Sequence, residues 1–350
     1  MRPDEIDWDS VKRVLVVKLR SIGDTVLATP SLFALRRFLP NAQIDILLEE
    51  WVAPLLQGSD LIDNVITVGE SGPSKLVVAR ELRRRKYDVA FNQHGGTTAT
   101  FFVRASGAQH RVGYAHYQYS FLYNHLLSSA KDFWRRDKVH SAEQQLALLG
   151  FIGVPVDDRP KSRLTVTDKG RTARVTEWHE RGPYALLHPG TAFFTKQWSP
   201  ENFARTADFL AAKGFSVIAL GSKDETNVLD QLRTAATVPV TAFDDLSLPE
   251  ITALASKAVV FVGNDSGIAH IAAAVNTPTV VIFGSSNRDH WRPWTHAPNE
   301  TVYEEFHCQP CAGYECKEFG DAPCIRSVTT DAVFAAIDRV LAASDGRSDD

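Results

Sequence analysis

Val259-Val260-Phe261-Val262-Gly263-Asn264-Asp265-Ser266-Gly267-Ile268-Ala269-His270 runs from an apolar strand, through a small polar turn, into the mouth of a helix. The run Val259–Val262 is continuous, largely β-branched and short, which suits a strand buried on both faces. The same passage recurs outward in both directions. Tyr184–Leu187, Val217–Leu220, Val238–Thr241 and Thr279–Phe283 are further strand candidates in this half. Val14–Leu19, Ile44–Leu48, Val65–Val68 and Val89–Phe91 repeat the pattern in the first half. Helix-length amphipathic stretches such as Thr25–Phe38 and Ser74–Arg85 separate them. Strands alternating with helices predict parallel sheets covered on both faces. Pro155, Asp157, Asp158 and Pro160 form a break between the two series. The expected architecture is therefore α/β: two doubly wound, Rossmann-like domains facing a cleft. The expected boundaries are 1–160, 161–330 with a cysteine-rich loop at 307–325, and 331–350. The last part comprises a helix over Asp331–Ala342 and a frayed tail from Ser344.

At 350 residues, 44% of them hydrophobic and 23% charged, the composition is that of a soluble globular protein. A net charge of −4 argues against a nucleic-acid-coating protein. No apolar run approaches the ~20 residues of a membrane span. The acidic start, Met1–Ser10, does not read as a secretory signal, so a cytoplasmic location is expected. Charge is uneven, because clusters such as Arg83-Arg84-Arg85-Lys86 and Arg135-Arg136 make Val11–His140 basic within an acidic chain. Solvated helix faces account for that pattern, as does a surface turned to an anionic acceptor or membrane.

In doubly wound sheets, ligands bind beyond the carboxyl ends of the strands. Three turns there carry chemistry. In Arg20-Ser21-Ile22-Gly23-Asp24-Thr25, Asp24 is either a plain helix cap or a carboxylate able to take a proton from a hydroxyl. The turn has neither a dinucleotide fingerprint nor a Walker lysine. In His188-Pro189-Gly190-Thr191, leading to Lys196 and the Ser199-Pro200 helix start, Lys196 is either solvated or placed where a helix dipole also draws phosphate. In the third turn, Ser266 and Gly267 open a helix whose N–H groups can hold an anion. Asp265 either caps that helix or hydrogen-bonds a sugar hydroxyl. His270, one turn in, either reaches the same ligand or is a buried, satisfied histidine.

All four cysteines fall between Cys308 and Cys324, with Cys311 and Cys316 between them. In a reducing compartment this grouping favours a structural thiolate site for zinc or iron, with disulfides and unliganded thiols as the other readings.

Four stretches together resemble the lipopolysaccharide heptosyltransferases of glycosyltransferase family 9, which have the two-Rossmann-domain glycosyltransferase (GT-B) fold. They are Val16–Asp24, His188-Pro189-Gly190 with Lys196-Gln197-Trp198, Gly221-Ser222-Lys223-Asp224-Glu225, and Gly263–Gly267 with His270. The resemblance covers most of 12–340. It implies an ADP-heptose donor, an anionic Kdo–lipid A acceptor, and inverting transfer that needs no catalytic metal, at the inner-membrane face. It implies Asp24 as general base and Lys196 as the group stabilising the departing diphosphate. Thr191, Glu225, Asp265, Ser266, Gly267 and His270 would hold the donor, with Glu225 toward the ribose. Arg20, Ser21, Gly23 and His94 would lie on the acceptor side. Asn92-Gln93-His94-Gly95-Gly96 departs from the arginine-bearing stretch of several relatives, which implies a different acceptor. Some family members carry a similar cysteine-rich segment, and a protein-modifying group carries an iron-binding cysteine set. A protein O-heptosyltransferase, a nucleotide-sugar epimerase of similar fold, and a non-catalytic sugar-nucleotide scaffold or sensor are the rival readings.

Overall fold

The computed structural model describes residues 6–69, 74–311 and 313–346. The chain divides into two compact units, Met1–Thr165 and Val166–Asp350. In the first, β1 (Arg13–Val17), β2 (Gln43–Glu49), β3 (Asn64–Val68), β4 (Val89–Asn92), β5 (His110–Tyr114) and β6 (His125–Leu127) form one parallel sheet in the order β3-β2-β1-β4-β5-β6. The helices between them are α1 (Ile22–Val26), α2 (Thr29–Phe38), α3 (Lys75–Arg85) and α4 (Gly96–Ser106), followed by α5 (Ala130–Trp134) and α6 (Ser141–Gly150).

The second unit repeats this plan. Its strands are β7 (Tyr184–His188), β8 (Ser216–Leu220), β9 (Val240–Phe243), β10 (Val260–Asn264), β11 (Thr279–Phe283) and β12 (Asn299–Tyr303). They run parallel in the order β12-β11-β10-β7-β8-β9. Its helices are α7 (Ala173–Glu180), α8 (Pro200–Ala212), α9 (Thr226–Ala235), α10 (Leu248–Ala255), α11 (Gly267–Ala274), α12 (Arg288–Trp291), α13 (Pro323–Arg326) and α14 (Thr330–Asp345).

The period-two geometry of a strand explains the cores. Leu15 and Val17 of β1 pack with Val78, Leu82, Phe102 and Val103 of α3 and α4. The alternate residues Val14 and Val16 point the other way and are equally buried. In the second unit, Val260 and Val262 of β10 share a core with Phe203 and Leu210 of α8 and Ile337 of α14. Trp198 is fully buried there and donates its indole N–H to the Val328 carbonyl at 2.8 Å.

Three expectations are corrected. The single helix over 25–38 is two, because Pro30 opens α2 and cannot continue the α1 ladder. The strands β5, β6 and β12 had no apolar run to reveal them. His110-Arg111-Val112-Gly113-Tyr114, one strand in from the edge, and Asn299-Glu300-Thr301-Val302-Tyr303, at the edge, mix polar with apolar residues, and β6 has only 3 residues. The last helix continues through Ser344, where fraying was expected; 347–350 lie outside the described residues.

Candidate active site

Both sheets reverse direction of winding between two central strands, β1/β4 in the first unit and β7/β10 in the second. Such a switch point leaves a crevice beyond the strand ends, where neighbouring loops turn to opposite faces. The candidate residues fall at these two points.

At the first, β1 is followed by Lys18, whose side chain is buried and donates to Asp24 Oδ1 at 2.8 Å and to the Gln93 carbonyl at 3.0 Å. Asp24 is the third residue of α1, and its Oδ2 accepts from the Ser21 hydroxyl at 3.2 Å and from the Ser21 backbone N–H at 3.5 Å, the latter closing a capping box. Asp24 is thus both a cap partner and a half-exposed carboxylate, its side chain 30% exposed. Burial pushes its carboxyl up, but the Lys18 charge and the hydrogen bonds from Lys18 and Ser21 outweigh that and hold it below the ordinary aspartate value. It is ionised at neutral pH and able to accept a proton.

The neighbouring loop follows β4. Asn92 Oδ1 accepts from the backbone N–H groups of His94 and Gly95 at 3.0 and 2.8 Å, and Asn92 Nδ2 donates to Tyr123 Oη. Gly95 and Gly96, both at positive φ, make the tight entry into α4. His94 is half-buried, and its imidazole is held below the usual value first by burial and then by the Lys18 charge, against the pull of Asp24. Arg20 and Ser21 are exposed and Gly23 is buried beside them. Lys18 was not anticipated, although a lysine closing an apolar strand is a signal in itself.

At the second switch point, Lys196 Nζ lies 2.8 Å from Asp265 Oδ2, and the Ser286 hydroxyl donates to the same oxygen at 2.5 Å. Lys196 and Asp265 side chains are 18% and 7% exposed, so the pair is largely desolvated. Ser266 is the N-cap of α11 but makes no capping bond; its hydroxyl lies 3.1 Å from His188 Nδ1. The N-cap side chain is therefore not the partner of the first N–H groups of α11. Gly267 and the buried His270 follow on that helix.

Glu225 Oε2 accepts from Ser222 N and Oγ at 2.8 and 3.0 Å and lies 3.8 Å from His188 Nε2. Its other oxygen faces Gly190: a Cβ there would sit 2.0 Å from Oε1, so only glycine leaves Glu225 in place. His188 is held below the usual imidazole value by burial, against Glu225. Thr191 lies half-buried in the same turn. Asn264, also unanticipated, joins the two loops: it accepts from Trp198 N at 3.1 Å and donates to the Pro189 carbonyl at 2.8 Å. Its polarity at the end of an otherwise apolar strand was the available clue.

The four cysteines of the expected thiolate site come together. Cys308, Cys311, Cys316 and Cys324 line one small cavity together with Thr195 and Ser285, and none is in a disulfide. Among the described residues, however, no three His, Cys, Asp or Glu side chains are set to hold a metal ion. Cys311 is exposed, whereas Cys324 is buried in α13, and burial with the nearness of the other three sulfurs pushes its thiol up to about 11.

Two parallel sheets, each with its strands in the Rossmann order, give the chain the two-domain α/β architecture of the GT-B fold. The model of glycosyltransferase family 9 (heptosyltransferase) matches residues 76–320, more than half of the chain. The chain belongs to that family. It is 27% identical to lipopolysaccharide heptosyltransferase 3 of Escherichia coli (strain K12), over 79% of this chain and 84% of that one. The solved E. coli ADP-heptose lps heptosyltransferase II superposes with a TM-score of 0.79 at 21% identity, covering 95% of this chain and 99% of that one. The iron-containing dodecameric glycosyltransferase TibC from enterotoxigenic E. coli H10407 gives 0.56 at 17% identity, covering 94% and 76%. Membership of a glycosyltransferase family weighs against the epimerase reading.

Proposed function

We propose that this glycosyltransferase moves a heptose from ADP-heptose to an inner-core sugar of a lipid A-linked oligosaccharide, with inversion, at the cytoplasmic face of the inner membrane. The observation that carries this reading is the second switch point: a largely desolvated Lys196–Asp265 pair beside the mouth of α11, whose N-cap Ser266 makes no capping bond. That is equipment for a diphosphate, in a family of heptosyltransferases.

In this reading the diphosphate lies against Lys196 and the N–H groups at Ser266–Gly267. Asp265 and His270 contact the phosphates and heptose, Thr191 lines the same turn, and the Oε1 of Glu225 takes a ribose hydroxyl. Arg20, Ser21, Gly23 and His94 surround the acceptor. The acceptor hydroxyl gives its proton to Asp24 as its oxygen bonds to the anomeric carbon. The bond from that carbon to the phosphate oxygen breaks, and its electron pair leaves with ADP. Lys196 and the helix mouth stabilise the charge that develops on ADP, so the reading calls for no catalytic metal. The test is transfer itself: ADP-heptose and a glycolipid lacking its last heptose should yield a product heavier by one heptose. Label appearing in a polypeptide would identify a protein acceptor instead. Labelled donor that binds without labelling anything would leave a binding scaffold.

Membrane contact has a candidate surface in α3. Leu76 and Val77 are exposed, and with Arg80, Arg83 and Arg84 they occupy one side of the helix, opposite the buried Val78 and Leu82. Exposed aliphatics beside arginines suit an anionic bilayer surface, where each basic residue contributes about 1 kcal/mol. The protein should sediment with phosphatidylglycerol vesicles but not phosphatidylcholine ones, and Arg80→Glu with Arg84→Glu should abolish this. Equal sedimentation of wild type and variant would remove α3 from the contact.

What supports a structural zinc or iron at the four cysteines is their donor chemistry and their shared cavity, although their side chains are not set as a ligand group. A cation there would tie the loop before α14 to its neighbours. Elemental analysis should then find about one metal per chain, and a chelator should lower the melting temperature. Metal-free protein with four freely titrating thiols would refute the site.

A further inference from the structure

Lys196 lies in a single 3-10 turn, Phe194–Lys196, held locally by backbone bonds from Lys196 N to Phe193 O at 2.9 Å and from Gln197 N to Phe194 O at 3.1 Å. So short a turn does not fix its own orientation. What fixes it is the preceding residue. Thr195 is buried, and it lines the small cavity of the four cysteines. Its hydroxyl lies 2.9 Å from Ser285 Oγ and donates to the Gly313 carbonyl at 2.5 Å. Its carbonyl accepts from Ser285 N at 3.2 Å. Gly284 allows this approach, since a Cβ there would fall 2.2 Å from the Thr195 oxygen.

The partners of Thr195 lead in two directions. Ser285 accepts at its carbonyl from Cys311 N at 2.9 Å, Gln309 Nε2 donates to the Gly284 carbonyl at 2.6 Å, and the Phe193 and Tyr314 rings meet edge to face at 4.8 Å. These contacts join the turn to the cysteine-rich loop. The residue after Ser285 is Ser286, whose hydroxyl holds the Asp265 oxygen that pairs with Lys196. The turn that carries Lys196 is thus anchored through Thr195 to Ser285, and Asp265 to the adjacent Ser286, just beyond the end of β11.

We propose that Thr195 is a positioning residue: its bonds to Ser285 and Gly313 set Lys196 against Asp265 and couple nucleoside-diphosphate affinity to the cysteine-rich loop. The proposal rests on the reading of Lys196 as the diphosphate-binding lysine. Thr195 touches no ligand. It acts by keeping the lysine ammonium where a diphosphate oxygen arrives, so its loss should be felt by the diphosphate and not by the nucleoside.

The test is calorimetric titration of the full chain with ADP and with adenosine. Thr195→Val keeps the shape and removes the hydroxyl; it should weaken ADP on the order of tenfold while adenosine affinity stays unchanged. Thr195→Ser should restore ADP binding. Ser285→Ala, which removes one of the same bonds, should weaken ADP in the same sense and serves if Thr195→Val does not fold. Wild-type ADP affinity in these variants, or equal losses for ADP and adenosine, would overturn the latch. Lys196→Ala separates the two layers. If it weakens ADP while the Thr195 and Ser285 variants do not, only the latch fails. If none of them weakens ADP, the diphosphate reading of Lys196 fails with it.

Discussion

Asp24→Asn is expected to lower heptose transfer by a factor on the order of 10² to 10⁴ while leaving ADP affinity unchanged. The amide keeps the size of the carboxylate and can still meet Ser21, so the capping box is largely preserved. What it loses is the ability to take the hydroxyl proton. Because Lys18 and Ser21 hold the Asp24 carboxyl below its ordinary value, the acid limb of the wild-type rate should lie at lower pH than for a free aspartate. The sign follows from the ion pair: protonating Asp24 means breaking its bond to the buried Lys18, so the charged form persists as pH falls. Lys18→Met removes the opposing charge and leaves burial opposed only by the Ser21 hydrogen bonds, and the acid limb should then move upward. Rate–pH profiles of the wild type and both variants check this. Near-normal turnover by Asp24→Asn would take Asp24 out of the mechanism.

Lys196→Ala should cost on the order of 10² to 10³ in kcat, with a further loss in donor affinity. The argument is electrostatic. The ammonium is largely withdrawn from water, so its field at a neighbouring phosphate is screened far less than at an open surface. It also neutralises Asp265, which is buried and would otherwise repel an arriving diphosphate. The variant therefore removes an attraction and uncovers a repulsion. Adding Asp265→Asn should recover part of the donor affinity but not the rate, because the repulsion is gone while the leaving group still lacks its cation. Kinetics and ADP titration of the single and double variants separate the two effects. A single variant with unchanged kcat would show that the ammonium does not face the departing phosphate.

Much of this was legible in the chain because buried parallel strands must be apolar and their turns must be small and polar. Val259–Val262 and Thr279–Phe283 declared themselves in that way, and β11 has the expected bounds. The strands that escaped notice, β5, β6 and β12, lie toward the sheet margins and are short or mix polar with apolar residues. At the sites, Asp24, Lys196, Asp265 and Glu225 stood out as charged residues in turns beyond strand ends. Their partners did not. Lys18, Asn264, Thr195 and Ser286 act through contacts between residues as far apart as 118 positions, and nothing in local spacing announces such pairs. Asp24 also shows why the alternatives of cap and base were not exclusive, since one carboxyl oxygen meets Ser21 and the other Lys18.

The anomeric configuration of the transferred sugar tests the account most directly. With ADP-heptose labelled at the anomeric carbon and a heptose-deficient inner-core glycolipid, the nuclear magnetic resonance spectrum of the product should show the configuration opposite to that of the donor, with one ADP released per sugar. A product that keeps the donor's configuration, or a donor consumed without any glycosidic bond being made, would contradict a single displacement assisted by Asp24.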